Sequence, residues 1–432
     1  MSVVWLISIL SFAIFLTLQA KGIYAGDSGD LVTAAALMGV PHPPGYPLYT
    51  FFGFLLSKLP FYTISWRVTL LSSLPHAITV GLVYGLVFRA TKRRLPGIFS
   101  SLLLLSTYLY TLYSITPEVF ALLDLFVVLL FTFVLIWYET KQGRYLTWAT
   151  FVFGLSLTHH HMILFLVPAA VFLILRGIKR RGIRLAPLWK YVALFLLGLL
   201  PYLYAPIAGR GDAILNWDRP VDAAGFFRLI TRADYGTFVS GPSFGTSLGE
   251  RLVSLKAVFR FIWIDFTWIG LPLIAAGVWG VFKKGRDIGI YWVLAGGLLG
   301  PIFLAYASFP LANTFTLGTY ERFLLPLYVL LIALAGIGFS QCQSWVAYGA
   351  SRYLGKKYVI LSLGFSLVLF FYPIFSGYVT WKETKGIRED RTAEYLAADV
   401  LATLPQGAVV ILARDTVLFT TQYVRYALDK RP

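Results

Sequence analysis

The sequence predicts an all-α polytopic membrane protein of about 11 transmembrane helices, closed by a small C-terminal extracytoplasmic α/β segment. Three observations predict it. The chain is 58% hydrophobic and only 13% charged, whereas a soluble domain carries about 25% charged residues. Apolar runs approaching the roughly 20 residues needed to cross a bilayer recur along it. The basic residues behind the net charge of +17 sit in short blocks between those runs. That is the positive-inside pattern, and it excludes a nucleic-acid reading of the charge. Cys342 is the single cysteine, so no intrachain disulfide forms.

The first apolar run, 3–20, lacks a basic n-region and a small-residue cleavage site, so it reads as a retained span rather than a signal peptide. A first external loop, 21–65, follows. It carries Gly26-Asp27-Ser28-Gly29-Asp30, then Pro41-His42-Pro43-Pro44-Gly45-Tyr46-Pro47, then an amphipathic or interfacial helix over 46–59 closed by Pro60. Spans two to four are predicted over 66–88, 95–113 and 118–138, the last two separated only by 114–117. The fifth and sixth, 145–158 and 162–175, are short and joined by His159-His160-His161 alone. A hairpin that short draws the histidines below the bilayer surface. The seventh span covers 188–207 and precedes a large external loop, 208–256, with Asn216-Trp217-Asp218-Arg219-Pro220 in it. The eighth and ninth cover 257–282 and 288–309. A connector holding Glu321-Arg322 leads into the tenth, 323–341, and the eleventh covers 358–375.

Basic blocks follow spans two, four, six, eight and ten. This alternation predicts a cytoplasmic N-terminus with odd-numbered span ends outside. The Asp pair, Glu118, the histidines, the Asn-Trp-Asp loop and Arg322 then share one extracytoplasmic face. Two units are expected: a transmembrane domain, 1–379, and an extracytoplasmic segment, 380–432. In the latter, 390–403 reads as a helix, 408–413 as a buried strand and 416–428 as a helix. About 50 residues form little core alone. The segment either packs on the membrane part or continues in a longer natural domain.

The stretch 25–31 and His42-Pro43-Pro44-Gly45-Tyr46-Pro47 resemble the polytopic glycosyltransferases of the GT-C superfamily, in the branch containing a transmembrane protein O-mannosyltransferase and its bacterial relatives. That branch shows Gly-Asp-Ser-Gly-Glu before His-Pro-Pro-Gly-Tyr-Pro, and here Asp30 stands in place of the Glu. Further matches are Thr116-Pro117-Glu118-Val119-Phe120, Gly154-Leu155-Ser156-Leu157-Thr158-His159-His160, Asn216-Trp217-Asp218 and Glu321-Arg322-Phe323-Leu324-Leu325-Pro326. The likeness covers roughly residues 3–340. It implies a GT-C-like fold, a polyprenyl-phosphate hexose (mannose in some relatives) as donor, and transfer with inversion outside the cytoplasm. Protein Ser/Thr hydroxyls, or a glycan, are the implied acceptors. The setting expected is a prokaryotic cell membrane.

An inverting transfer needs a base beside the acceptor hydroxyl and a positive environment for the departing phosphate. Asp27, Asp30 and Glu118 are the candidate catalytic acids. Asp27 is the first choice as base, because it stands in the part of the motif that matches letter for letter. Asp27 and Asp30 also suit a helix cap, a reading that needs no chemistry. Arg322 is the first choice for the donor phosphate, with His42, His160, His161, Arg210 and Glu321 behind it. Tyr46, Asn216, Trp217 and Asp218 are candidate acceptor or loop residues. Three adjacent histidines diverge on a helix, so no metal site and no divalent metal are expected. The lipid-linked sugar is a co-substrate, and no other cofactor is called for. The absence of a Gly-rich nucleotide loop argues against a nucleotide-sugar donor. The alternatives are a polytopic transporter or lipid flippase, whose polar residues would lie near the bilayer midplane in repeated halves, and a non-catalytic assembly protein whose tail docks a partner.

Overall fold

A computed structural model describes residues 2–237, 247–311, 313–354, 358–412 and 414–430. It is a helical bundle. Among the described residues, eight helices are long and apolar enough to cross a membrane, nine if Arg94–Ser106 and Tyr108–Ile115, bent by 67°, form one span. This is fewer than the 11 predicted. The predicted first and fifth spans are helices of 17 and 15 residues, Ser2–Leu18 and Gly143–Leu157. At 1.5 Å per residue each reaches roughly 25 Å or less, short of a hydrocarbon core about 30 Å thick.

The bundle packs through small residues, as helices in lipid do. A Cβ on Gly277 would lie 1.9 Å from the Leu334 carbonyl oxygen, and one on Gly338 would lie 1.8 Å from that of Leu273. These two glycines let Leu248–Lys284 and Leu325–Leu354 meet backbone to backbone.

The C-terminal expectation needs correcting. The tail helices form, as Thr392–Thr403 and Asp415–Gln422 with a π-turn at Tyr423–Ala427, but the described residues contain no strand. Residues 408–412 run without regular structure, and Ala413 lies outside the described residues. Val409 and Ile411 are 93% and 92% exposed. An apolar run becomes a strand only when a neighbour pairs with its backbone, and none does here. The β pairing among the described residues is one isolated bridge, Val40 to Asn216. The segment is therefore helical rather than α/β.

This tail lies against the first loop. Lys21 Nζ meets Glu389 at 2.5 Å, and Arg388 donates to the carbonyls of Leu16 and Thr17. Gly29 sits so close to the tail helix that a Cβ there would fall 2.5 Å from the Phe419 carbonyl oxygen.

Candidate active site

The first loop folds around two tight turns. Gly26, at φ +80°, turns the chain into the helix Ser28–Leu37. Asp27 occupies the cap position of that helix, but its side chain makes no capping hydrogen bond. It points instead to Arg322, with Oδ2 2.8 Å from a terminal nitrogen. The capping reading therefore does not account for the Asp27 side chain. Gly45, also at φ +80°, returns the chain past Leu229, whose Cδ2 would lie 2.8 Å from an added Cβ. The helix Pro47–Ser57 starts there, with Pro47 in its first turn.

Asp30, one turn beyond Asp27, is fully buried. Its Oδ2 accepts from the His42 backbone N–H at 2.9 Å and sits 2.6 Å from His42 Nδ1. The other face of the ring presents Nε2 to Asp27 Oδ2 at 3.9 Å and to the Tyr46 hydroxyl at 3.4 Å. His42 is thus strung between two carboxylates. Burial alone would lower its pKa, but Asp27 and Asp30 outweigh burial and raise it.

Glu118 arrives from the turn between Tyr108–Ile115 and Phe120–Thr140. Ser72 accepts from its N–H at 3.0 Å and donates to its carbonyl at 3.1 Å. Arg322, in the short 3-10 turn Arg322–Leu324, joins the group: it donates to Glu118 Oε1 at 2.7 Å while holding Asp27. Its guanidinium lies 5.5 Å from the Phe120 ring centre. Burial pushes the Asp27 carboxyl up, but Arg322 and then His42 overcome it, so its pKa falls below the ordinary value. For Glu118 burial wins over Arg322, and the pKa rises. One arginine therefore pins two carboxyls biased in opposite directions.

Solvent access separates the acids. The side chains of Asp30 and Glu118 are 0% and 5% exposed, while that of Asp27 is 19% exposed. Asp27 is the most solvent-accessible of the three carboxyls.

A cavity of about 330 Å³ lies beside this group. Tyr46 forms the shared wall, and His160, His161 and Arg232 supply its polar lining, with Phe165, Phe303 and Phe323 among its apolar residues. The three histidines diverge. His159 Nε2 meets the Val119 carbonyl at 2.7 Å, His160 Nδ1 accepts from the Met162 N–H at 3.2 Å, and His161 Nε2 contacts the Tyr202 hydroxyl at 3.1 Å. Burial, with His159, His161, Arg232 and Arg322 nearby, holds His160 well below the usual histidine pKa. Among the described residues no group of three or more His, Cys, Asp or Glu is arranged for a metal ion.

The remaining candidates named from the sequence make their contacts elsewhere. Glu321 accepts from the Tyr113 hydroxyl at 3.2 Å. Arg210 is exposed and donates to the Val221 carbonyl at 3.3 Å. Asn216 donates to the Gly209 carbonyl, the Trp217 N–H to that of Val40, and Asp218 pairs with Arg228. These last contacts shape the large loop. Sequence reasoning misses Arg232, which lines the cavity, and Asp415 and Phe419, which lie near His42. Arg232 lies in a loop Arg-Ala-Asp-Tyr-Gly string with no motif to mark it, and the other two lie in the tail, where nothing signals a return to the first loop.

Comparison with known proteins adds to this geometry. Residues 27–182 match the family model described as the Protein O-mannosyl-transferase TMEM260 N-terminal domain. The chain is 28% identical over 436 residues to Protein O-mannosyl-transferase TMEM260 of Mus musculus, covering 97% of this chain and 60% of the mouse protein. It is 27% identical over 346 residues to the Dictyostelium discoideum protein of that name, covering 74% of this chain and 42% of the relative. The chain thus spans less than two thirds of the length of these relatives. In fold it is similar to ArnT from Cupriavidus metallidurans. The TM-score is 0.57 for ArnT bound to undecaprenyl phosphate and 0.61 for the apo state; each match has 12% identity and covers 98% of this chain and 84% of ArnT.

Proposed function

We propose that this chain, a relative of the TMEM260 O-mannosyltransferases with an ArnT-like fold, transfers a hexose, mannose in the first instance, from a polyprenyl-phosphate donor to a hydroxyl of a protein acceptor. The observation that carries the reading is Asp27: the accessible carboxylate of the cluster, held by Arg322 and faced by His42, next to a cavity with a polar end and an aromatic wall. The names of the sequence relatives and the lipid bound to ArnT support the choice of sugar and donor. The alternation of basic blocks supports an extracytoplasmic active face.

In this reading the acceptor hydroxyl hydrogen-bonds to Asp27. Its oxygen attacks the anomeric carbon from the face opposite the phosphate. The new C–O bond forms as the bond to the phosphate oxygen breaks, and the polyprenyl phosphate leaves with that electron pair. Asp27 takes the hydroxyl proton late, as suits a carboxylate kept ionised. The sugar inverts once. Arg322 fixes the direction of Asp27 and Glu118 through its two terminal nitrogens, and its buried Nε has no hydrogen-bond partner. A second cation for the phosphate is Arg232, which lines the cavity. Among the described residues it pairs with no carboxylate, and its buried Nε likewise has no hydrogen-bond partner. His160 and His161 line the cavity beside it, and the aromatic wall suits the first isoprene units.

The test is transfer by the purified protein in detergent, with polyprenyl-phosphate mannose and a Ser/Thr peptide, followed by mass spectrometry of the peptide. A gain of one hexose, lost in Asp27→Asn, supports the proposal. Movement of the intact lipid across proteoliposomes without transfer would support the flippase reading instead.

A further inference from the structure

The tail reaches the catalytic group through one aromatic ring. Phe419 of the Asp415–Gln422 helix is 2% exposed and lies stacked on the His42 imidazole, with ring centres 6.0 Å apart and planes at 17°. Tyr46 meets the same imidazole edge-on at 5.3 Å and 70°. Those distances lie within the range where aromatic faces attract, about 4.5–7 Å. The main chain at Phe419 is held in turn: its carbonyl leaves no room for a side chain at position 29, and Thr420 behind it is fully buried. The buried ring is thereby kept alongside the imidazole.

We infer that Phe419 is a positioning residue for His42. It holds the imidazole so that Nδ1 stays on Asp30 while Nε2 faces Asp27, and it makes the tail part of the active site. The inference rests on the transferase reading for what His42 does, but the positioning itself can be read without transfer. His42 has charged and titratable groups around it from every packed element: Asp27 and Asp30 at the start of the first-loop helix, Tyr46 before the next, Arg322 in its turn and Asp415 on the tail helix. Removing the ring would let water and alternative rotamers in among them. Both the attraction of the two carboxylates and the burial that opposes it would then shrink, so the imidazole would return toward ordinary behaviour.

The experiment uses the full chain in lipid nanodiscs with ring-labelled histidine. The chain has 5 histidines, and the His42 signal is identified by its loss in His42→Gln. In wild type His42 should titrate above about 6.5. In Phe419→Ala its midpoint should fall back toward that value by about half a pH unit or more, and sugar transfer should lose about tenfold in kcat with KM for the donor within twofold. Phe419→Leu, which restores bulk without a flat face, should behave like Phe419→Ala, and Phe419→Tyr like wild type. An unchanged His42 titration in Phe419→Ala and Phe419→Leu overturns the inference, as does a wild-type titration and kcat in Phe419→Leu alone, which would leave the ring as filler. If the wild-type protein transfers no sugar, the transferase reading falls, while the titration still decides the positioning.

Discussion

Among the described residues two buried Asp–His pairs stand out, and they differ in one nitrogen. In the first loop, Asp30 binds Nδ1 of His42 at 2.6 Å. Within the bundle, Asp124 binds Nε2 of His76 at 3.1 Å. Both aspartates are fully buried, and in both Oδ1 has no hydrogen-bond partner. The inner ring, however, is used up. His76 Nδ1 meets the Ser114 hydroxyl at 2.7 Å, and its face is stacked on Tyr110 at 4.0 Å. Ser114 already donates to the Tyr110 carbonyl, so it accepts from His76. His76 Nε2 is then left to Asp124. His42 keeps its second nitrogen facing Asp27. The same pair of residue types is thus a tie between helices in one place and part of the proposed reactive group in the other. What separates them is the partner of the second nitrogen, a part-exposed carboxylate in one case and a hydroxyl already committed elsewhere in the other, not residue type.

Substitutions can break that comparison or sharpen it. The largest loss around the outer pair is expected at Arg322. Arg322→Ala leaves two buried carboxyls without their shared cation, at a cost of about 3–5 kcal/mol, and transfer should fall by about three orders of magnitude. Arg322→Lys should recover only part, since an ammonium lacks the planar fork that reaches both acids. Thermal denaturation and turnover measure the two effects.

His42→Gln comes next, with turnover down by about 10²-fold. This pair should also leave a pH signature. The folded-state pKa of His42 is raised, so its contribution to stability is complete below the unfolded value of about 6.5 and is lost as pH rises through the folded value, at about 1.4 kcal/mol per pKa unit. Denaturation midpoints followed across that window should decline in wild type and stay flatter in His42→Gln. Equal slopes would remove the charge assigned to His42.

Arg232→Ala should weaken binding of polyprenyl phosphate about tenfold, roughly 1.4 kcal/mol, as read by lipid titration of the purified protein, and should lower kcat by about tenfold as the departing phosphate loses a cation. The smallest effect on chemistry is expected at the inner pair. Asp124→Asn should cost about 1–3 kcal/mol of stability while the folded fraction turns over within about twofold of wild type. If Asp124→Asn instead abolishes turnover at full stability, the inner pair belongs to the chemistry and the distinction between the pairs fails.

The first loop is legible in the sequence because its residues are local and punctuated. Gly26, Gly45 and the prolines announce turns, and Asp27, Asp30 and His42 come within 16 residues. Charge alternation likewise leads to a multi-pass helical fold. Arg322 stands out as a residue, but its bridge to Asp27 and Glu118 crosses most of the chain, and adjacency suggests Glu321 as its partner instead. The tail is misread because an apolar run such as 408–412 has the composition of a strand whether or not a partner exists. Phe419 stays invisible for a related reason: its role comes from where the tail helix lands, and no periodicity encodes that. Span counting fails where composition says apolar but length, at Ser2–Leu18 and Gly143–Leu157, does not reach across.

The central claim is that Asp27 is the base of a sugar transfer, and Asp27→Asn tests it most directly. Asparagine caps a helix about as well as aspartate and keeps an oxygen for Arg322, but it cannot accept the hydroxyl proton. Purified Asp27→Asn should still fold cooperatively, with a midpoint lowered only by the lost pairing with Arg322 and His42, and should match wild type in affinity for polyprenyl-phosphate mannose, yet form glycopeptide at least about 10³-fold more slowly. Glycopeptide formed at a near wild-type rate by this variant would contradict the account and move the base to Asp30 or Glu118.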